Sequence, residues 1–481
     1  MIQSIIHSSE SNNFYLYDDE HRFSMLIHPE FKKVYETSTD ADPYYIRKYA
    51  YLKNHGFFTK PKLAEFKPVL YESTVKEGII QTQQIVFEVT DFCNLRCSYC
   101  VQGEFYKGFN ERNCKNINTQ AAINLLKYII DLKHRNNKNK LTLSFYGGEP
   151  LLNVKFIKQI IKVANQLNSE KEIDIIYSMT TNATLINKYI HILVENKFKL
   201  LISLDGNEKN HSYRSFRKNN KNSFQKVIEN IDMIQRDYPE YFDNHVSFNA
   251  VLHNRNSVKD IYEFIYNRYH KIPGISELAF DDINQDKKYL FNRIFHGKKT
   301  SEAEFQKEDS ELLRNTHNQL IIFRELAFFL KYYSINFYIS NITSLLYEEK
   351  KYFPTNTCLP FHKKIYLTNR NKLLPCEKIS YKYFMGEVNK DVIIDIPEIT
   401  RRYNFYYEHL KKVCQHCYVH RFCGLCMFRI NNLDRLDAEE FVCDNFHNQK
   451  AFQTKLYRIF SFLEKNPNDL LELLENVVIT S

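Results

Sequence analysis

From Gln84 to about residue 290 the sequence alternates short β-rich runs with longer amphipathic stretches, and this alternation restricts the fold more than any other feature. QIVFEVT (84–90), LTLSFY (141–146), EIDIIYSMT (172–180), KLLISLD (199–205), HVSFNAVL (245–252) and SELAFDDI (276–283) read as strands. INTQAAINLLKYIIDLKH, with Thr119 as N-cap and Ile123, Leu126 and Ile130 on one face, reads as a helix, as does NVKFIKQIIKVANQL. Six β–α units in series predict parallel strands joined by right-handed crossovers. Six fall short of the eight that close a full barrel, so the expected fold class is α/β, a partial (β/α)6 barrel.

In parallel α/β folds the functional loops leave the C-terminal ends of the strands. Cys93, Cys97 and Cys100 follow the first strand in a C-x3-C-x2-C spacing, and Gly147-Gly148-Glu149-Pro150 follows the second. Thr180-Thr181-Asn182 follows the third and Asp205-Gly206 the fourth, so four motifs are expected on one rim. Four thiolates would close a zinc site or complete a cubane iron–sulfur cluster; three leave one metal position open to another molecule.

Lys and Arg exceed Asp and Glu by a net charge of +9, but the cations are interleaved with acids, which describes a solvated mixed surface and not a nucleic-acid face. The opening MIQSIIHSSESNNFY lacks the features of a signal peptide, and no window reaches a membrane-spanning apolar length. The expected compartment is the cytoplasm, where eleven cysteines are better metal ligands than disulfides. Ten of them fall into two sets; Cys114 stands apart and is expected as a buried small residue.

C-x3-C-x2-C after the first strand, with Tyr99 just before the last cysteine and GGEP after the second strand, resembles the radical S-adenosylmethionine (SAM) superfamily over roughly residues 84–290. The resemblance implies a [4Fe–4S] cluster on Cys93, Cys97 and Cys100, with SAM chelating the fourth iron. Tyr99, Gly147, Gly148, Glu149 and Pro150 would then border the cofactor: the glycines permit close backbone approach, and Glu149 accepts from the SAM ammonium. The same resemblance puts Thr181 and Asn182 near the ribose, and Ser203 and Arg214 near the methionyl carboxylate.

The second set is Cys358, Cys376, Cys414, Cys417, Cys423, Cys426 and Cys443. It resembles the seven-cysteine SPASM domain, which follows the barrel in a subgroup of these enzymes and holds two auxiliary clusters. That family's interleaved ligation gives Cys414, Cys417, Cys423 and Cys443 to one cluster and Cys358, Cys376 and Cys426 to the other, so three [4Fe–4S] clusters are implied in all. Asn371 stands at a usual glycine and tolerates the left-handed conformation. Glu377 falls where sulfatase-maturating relatives carry a proposed catalytic base.

Residues 1–78 read as a hairpin around Asp18-Asp19, a helical KKVYE and a second helix closed by Gly56, a small winged-helix-like domain that resembles leader-recognition domains of peptide maturases. The barrel is expected over 79–300, a helical bridge over 301–352, the SPASM domain over 353–450 and capping helices over 451–481. Together the resemblances imply a peptide maturase that uses SAM to install a thioether, carbon–carbon or similar crosslink on a precursor peptide. Its electrons would come from a flavodoxin or ferredoxin. An anaerobic sulfatase-maturating enzyme is the nearer alternative, a non-catalytic iron–sulfur scaffold the more distant one.

Overall fold

The structure, a computed structural model, describes all residues except 37–39, 59–61, 68, 109–112, 309–320, 335–352, 432, 437–440 and 469–481. It divides into two compact units. Met1–Val69, Leu320–Thr357 and Asn404–Ser481 form one; Leu70–Gln319 with Cys358–Tyr403 forms the other. The expected tail helix LLELLENVV and much of the 301–352 bridge lie outside the described residues. No helix among the described residues is long and apolar enough to cross a membrane.

In the first unit, strands β1 (Ile5–Ser8), β2 (Phe14–Asp18) and β3 (Phe23–Ile27) make an antiparallel sheet in that order. The expected hairpin is β2–β3; β1, only four residues before a polar run, escaped the sequence reading. Helices Pro29–Tyr35 and Pro43–Asn54 follow, each with proline at its start and a capping side chain, His28 and Asp42. Gly56, at φ 89°, takes the left-handed position beyond the second helix.

Ile2, Ile5, Tyr17, Ala64 and Phe66 share a core with Leu326, Phe329 and Tyr333 of helix Ile321–Tyr333. Cys417–Val419 and Phe452, Leu456 and Ile459 of helix Gln449–Lys465 complete it. The spacing of the last three is that of one helical face. The N-terminal sheet is thus bound into the same core as the cysteine-bearing C-terminal segment.

In the second unit, β4 (Gln84–Thr90), β6 (Lys140–Gly147), β7 (Asp174–Thr181), β8 (Lys199–Ser203), β10 (Val246–Val251) and β11 (Gly274–Ser276) are the expected parallel strands. They lie in the order β11-β10-β8-β7-β6-β4. Beyond β4 the sheet adds parallel β12 (Lys364–Leu367), then antiparallel β13 (Lys372–Leu374), β14 (Gly386–Val388) and β15 (Val392–Ile393). A separate ribbon pairs β5 (Leu95–Cys97) with β9 (Arg214–Phe216). Phe87 and Phe145 pack against Phe156 of helix Val154–Lys171, while the opposite face carries the hydrogen-bonded row Gln84, Ser144 and Ser178. One face of the sheet is therefore apolar core and the other polar.

Three local readings change. The expected strand 276–283 ends at Ser276, because Asp282 turns left-handed (φ 55°) and the segment leaves the sheet to meet Lys107, whose N–H bonds the Asp282 carbonyl at 2.9 Å. Leu278 and Ile283 pack there with Tyr99, Phe105 and Tyr106. The helix at Thr119–Arg135 is capped by Asn118, whose Oδ1 accepts from Gln120 and Ala121, and not by Thr119. Cys114 is exposed at φ 54°, not buried. Asn371 does take the left-handed turn, at φ 62°.

Phe145 is 1% exposed, with Phe87, Phe156 and Phe198 around its ring. Phe145→Ala is expected to cost about 3–5 kcal/mol, read as a lowered denaturation midpoint with unchanged slope.

Candidate functional site

The loop after β4 is built before any cofactor enters. Asp91, 3% exposed, accepts from the N–H groups of Asn113 (3.2 Å) and Lys115 (2.8 Å), and Thr90 Oγ1 accepts from Phe92 N at 3.2 Å. Pairing of β5 with β9 puts Cys97 opposite Arg214, and Cys100 N donates to the Cys97 carbonyl at 3.2 Å. Cys93 Sγ receives N–H groups from Leu95 (3.4 Å) and Asn182 Nδ2 (3.6 Å).

Burial pushes the Cys97 thiol up to about 12; Arg214 opposes the shift, and Cys100 and Cys93 add to it. The three thiols thus stand in mutual electrostatic reach, and a cation beside them would favour the Cys97 thiolate against burial. No three His, Cys, Asp or Glu side chains among the described residues close on one point as the ligands of a single ion do. Three thiols on one loop are the donor set by which a [4Fe–4S] cluster with one open iron would be held.

Asp205, fully buried at the end of β8, anchors the loop. It takes Arg214 bidentately (Nε to Oδ2 2.9 Å, Nη2 to Oδ1 3.0 Å), the Val251 N–H at 3.0 Å and the Tyr99 hydroxyl. Burial alone would push its carboxyl up, but Arg214 and His253 more than offset this and hold it well below the carboxylate range. Tyr99 and Arg214, both expected at the cofactor, are therefore joined through a carboxylate that the sequence showed only as part of the strand-end pair Asp205-Gly206. Ser203, half-buried, is the last residue of β8.

The glycines of GGEP press on the cysteine loop. Gly147 has φ 127°, and a Cβ there would lie 2.4 Å from the Thr90 carbonyl oxygen; at Gly148 it would lie 2.0 Å from that of Phe92. Gly148 N and Glu149 N donate to these same oxygens at 2.7 and 3.0 Å. Their close approach is to the chain's own backbone. Glu149, 0% exposed, accepts from Leu151 N (3.2 Å), Thr181 Oγ1 (2.8 Å) and Asn182 N (2.8 Å). Asn182 reaches on to Asn94 Oδ1 at 2.9 Å. The structure thus brings Glu149, Pro150, Thr181 and Asn182 together against Cys93.

A second polar group went unread. Glu88, 1% exposed on β4, accepts from Tyr381 Oη (2.7 Å), Gln102 Nε2 (3.0 Å) and Asn369 N (3.0 Å), and Tyr366 meets Tyr381 at 2.9 Å. Burial raises its pKa against these donors. Tyr146 is its register partner on β6, just before Gly147. Burial, then Glu377, Cys100, Cys376 and Glu88, push the Tyr146 phenol up. A lone Glu in an apolar strand was the available signal.

Glu377 is a half-buried residue: Lys364 Nζ lies 2.7 Å from Oε1, and the Cys376 thiol donates to Oε2 at 3.6 Å. Burial raises its carboxyl, but Lys364 outweighs that and keeps it ionised below its ordinary value. In the first unit, burial and then Cys423, Cys417 and Cys443 push the Cys414 thiol up, so four thiols stand in mutual reach. Cys423 Sγ receives Asn445 Nδ2 (3.6 Å) and Cys417 Sγ receives His447 N (3.4 Å). Cys358 and Cys376 belong to the second unit and Cys426 to the first.

Burial raises Glu149 to about 7, against its three donors. A carboxyl raised on folding favours the folded state most at low pH, and that contribution disappears as pH climbs from about 4.5 to about 7. Glu149→Gln should flatten this part of the stability–pH curve of the cofactor-free protein and, by turning an NH2 toward a donor, cost about 1–3 kcal/mol. Denaturation midpoints measured across that range check both.

Residues 87–265 match the Radical SAM superfamily. The chain is 34% identical over 151 residues to a cysteine-type anaerobic sulfatase-maturating enzyme of Clostridium novyi, covering 31% of this chain and 39% of the relative. It is 26% identical over 179 residues to the radical SAM cyclopropyl synthase TigE of Paramaledivibacter caminithermalis, covering 36% of each. It therefore spans well under half the length of these two relatives. The solved structure of native anSMEcpe with bound AdoMet superimposes with a TM-score of 0.53 at 18% identity, over 82% of this chain and 100% of that one. The same protein with AdoMet and the Kp18Cys peptide gives 0.53 at 19%, over 82% and 99%. At such identity the likeness speaks for the fold. Motif, strand-end placement and sequence match agree: residues 87–265 are a radical SAM domain.

Proposed function

We propose that the chain is a SAM-dependent radical enzyme that modifies a peptide, with a SPASM-like auxiliary centre on Cys414, Cys417, Cys423 and Cys443. The observation that carries this reading is the second thiol group, four cysteines in mutual reach within the unit that holds the N-terminal sheet. Cys93, Cys97 and Cys100 would hold a [4Fe–4S] cluster, which when bound would supply the one-electron reduction of SAM from which the radical chemistry starts. Tyr99 and Arg214, locked by Asp205, keep the loop in place. Glu149, Thr181 and Asn182 shape the wall beside Cys93, where the glycine backbone and Pro150 border the cofactor.

Each crosslink removes two hydrogens from the peptide. One would leave as a hydrogen atom; the other would leave as a proton, and its electron would need an acceptor, which a cluster held by Cys414, Cys417, Cys423 and Cys443 would supply. Glu377, ionised beside Lys364, is the proton acceptor in this scheme. The outer edge of β3, with the exposed Leu26, has no strand partner among the described residues and suits addition of a leader strand. A flavodoxin or ferredoxin would serve as reductant. The sulfatase-maturase reading is supported by the Clostridium novyi relative and by Glu377; there the product is formylglycine and no crosslink forms.

The reading is tested by anaerobic incubation with SAM, reductant and the small peptides encoded beside the gene. Loss of two hydrogens with a new crosslink in fragmentation spectra is expected. Conversion of a sulfatase-derived cysteine peptide instead would favour the second reading. Glu377→Gln should keep SAM cleavage and lower peptide modification by roughly 100-fold, the lower range for a lost general base. Reconstituted protein should hold about 8 irons, as the two cubanes of this reading require; about four irons with zinc on the later cysteines would remove the auxiliary centre from the scheme.

A further inference from the structure

Asp19, at the turn after β2, is 5% exposed and far in sequence from the later cysteines. Its carboxylate accepts from Tyr17 Oη at 3.0 Å and from Arg421 Nη2 at 3.2 Å, and that same nitrogen donates to the Asp19 carbonyl at 2.8 Å. His420 Nε2 stands 3.9 Å from Oδ2. Arg421 side-chain exposure is 9%, so the pair is shielded from solvent. His420 and Arg421 sit in the short loop between Cys417 and Cys423, and the next residue, Phe422, donates its N–H to Tyr333 Oη at 3.1 Å. Tyr17, Tyr333 and Cys417 are members of one buried core. Gln3 N donates to Tyr418 Oη at 3.2 Å and Ala64 N to the Gln415 carbonyl at 3.1 Å, so the start of this loop is tied to the N-terminal segment as well.

We propose that Asp19 and Arg421 are positioning residues of the auxiliary centre: a buried charge pair by which the N-terminal sheet holds the Cys417–Cys423 loop and sets the charge beside its thiolates. The inference rests on the four-cysteine centre proposed above. Its physical content is electrostatic. Reduction adds negative charge to the centre, so an uncompensated Arg421 cation eases reduction and an uncompensated Asp19 carboxylate opposes it. The pair together is nearly neutral toward the centre, whereas either partner alone would leave a net charge beside it.

The test uses the full-length, anaerobically reconstituted protein and follows the auxiliary signal by potentiometric EPR, with iron content alongside. Asp19→Asn should move the auxiliary midpoint to a more positive potential, Arg421→Gln should move it to a more negative one, and Asp19→Glu should return toward the parent value. The signal of the centre on Cys93, Cys97 and Cys100 should stay in place in all three. Opposite shifts establish the role. Unchanged potentials with full iron content overturn it, and so does an equal loss of auxiliary iron in both variants with no opposing shift, since that describes packing alone. A parent protein with no auxiliary signal would overturn the four-cysteine reading itself, a result distinct from either of the others.

Discussion

The buried pair of Asp205 and Arg214 is the interaction on which the cysteine loop depends. Arg214 belongs to β9, which pairs with the β5 residues that lead into Cys97; Asp205 ends the stretch after β8; and Tyr99 lies one residue before Cys100. One carboxylate thus joins the third cysteine, the ribbon carrying the second and the sheet. Two groups taken out of water this completely are costly unless fully paired, and breaking one partner leaves a buried charge worth about 3–5 kcal/mol of destabilisation. Here the pairing is completed by the Val251 N–H and His253. Placement of the cysteine loop thus follows from this lock more than from the cysteines themselves.

Glu149 is the complementary tie on the other side. Its three donors come from its own turn and from the end of β7, and its backbone N–H fastens to Phe92. The two glycines before it exist because any side chain would strike the Thr90–Phe92 backbone. The first strand's loop is fastened to the loops after β6, β7 and β8, which makes one closely tied floor of them. Glu88, Tyr146, Tyr366 and Tyr381 extend this polar region toward Cys376 and Glu377.

How far the sequence could be read follows from the range of each interaction. Strand periodicity is local, so five of the six barrel strands stand where the pattern puts them, and the motifs fall at their ends. SELAFDDI looked equally strand-like but is drawn out of the sheet by aromatic packing with Tyr99 and Phe105, a non-local contact invisible to a short window. The same applies to the N-terminal region. Its hairpin and helices were legible, whereas its shared core with Cys417 and Phe452 joins residues more than 350 apart. Asp205 was visible only as part of a strand-end pair with Gly206; its role required knowing that Arg214 folds back beside it. Glu149 was legible as a motif member, but its use as an internal tie was not.

The central claim is that Cys93, Cys97 and Cys100, held in this floor, present an open iron to SAM. The most direct measurement is the 5′-deoxyadenosine formed from SAM under reduction, without any peptide, in the parent protein and in Cys97→Ala, with iron counted in both. The parent should form it, and the variant should form none while losing about four irons, one cubane, and keeping the rest. Deoxyadenosine formation by the variant, or its absence from a fully iron-loaded parent, would contradict the account.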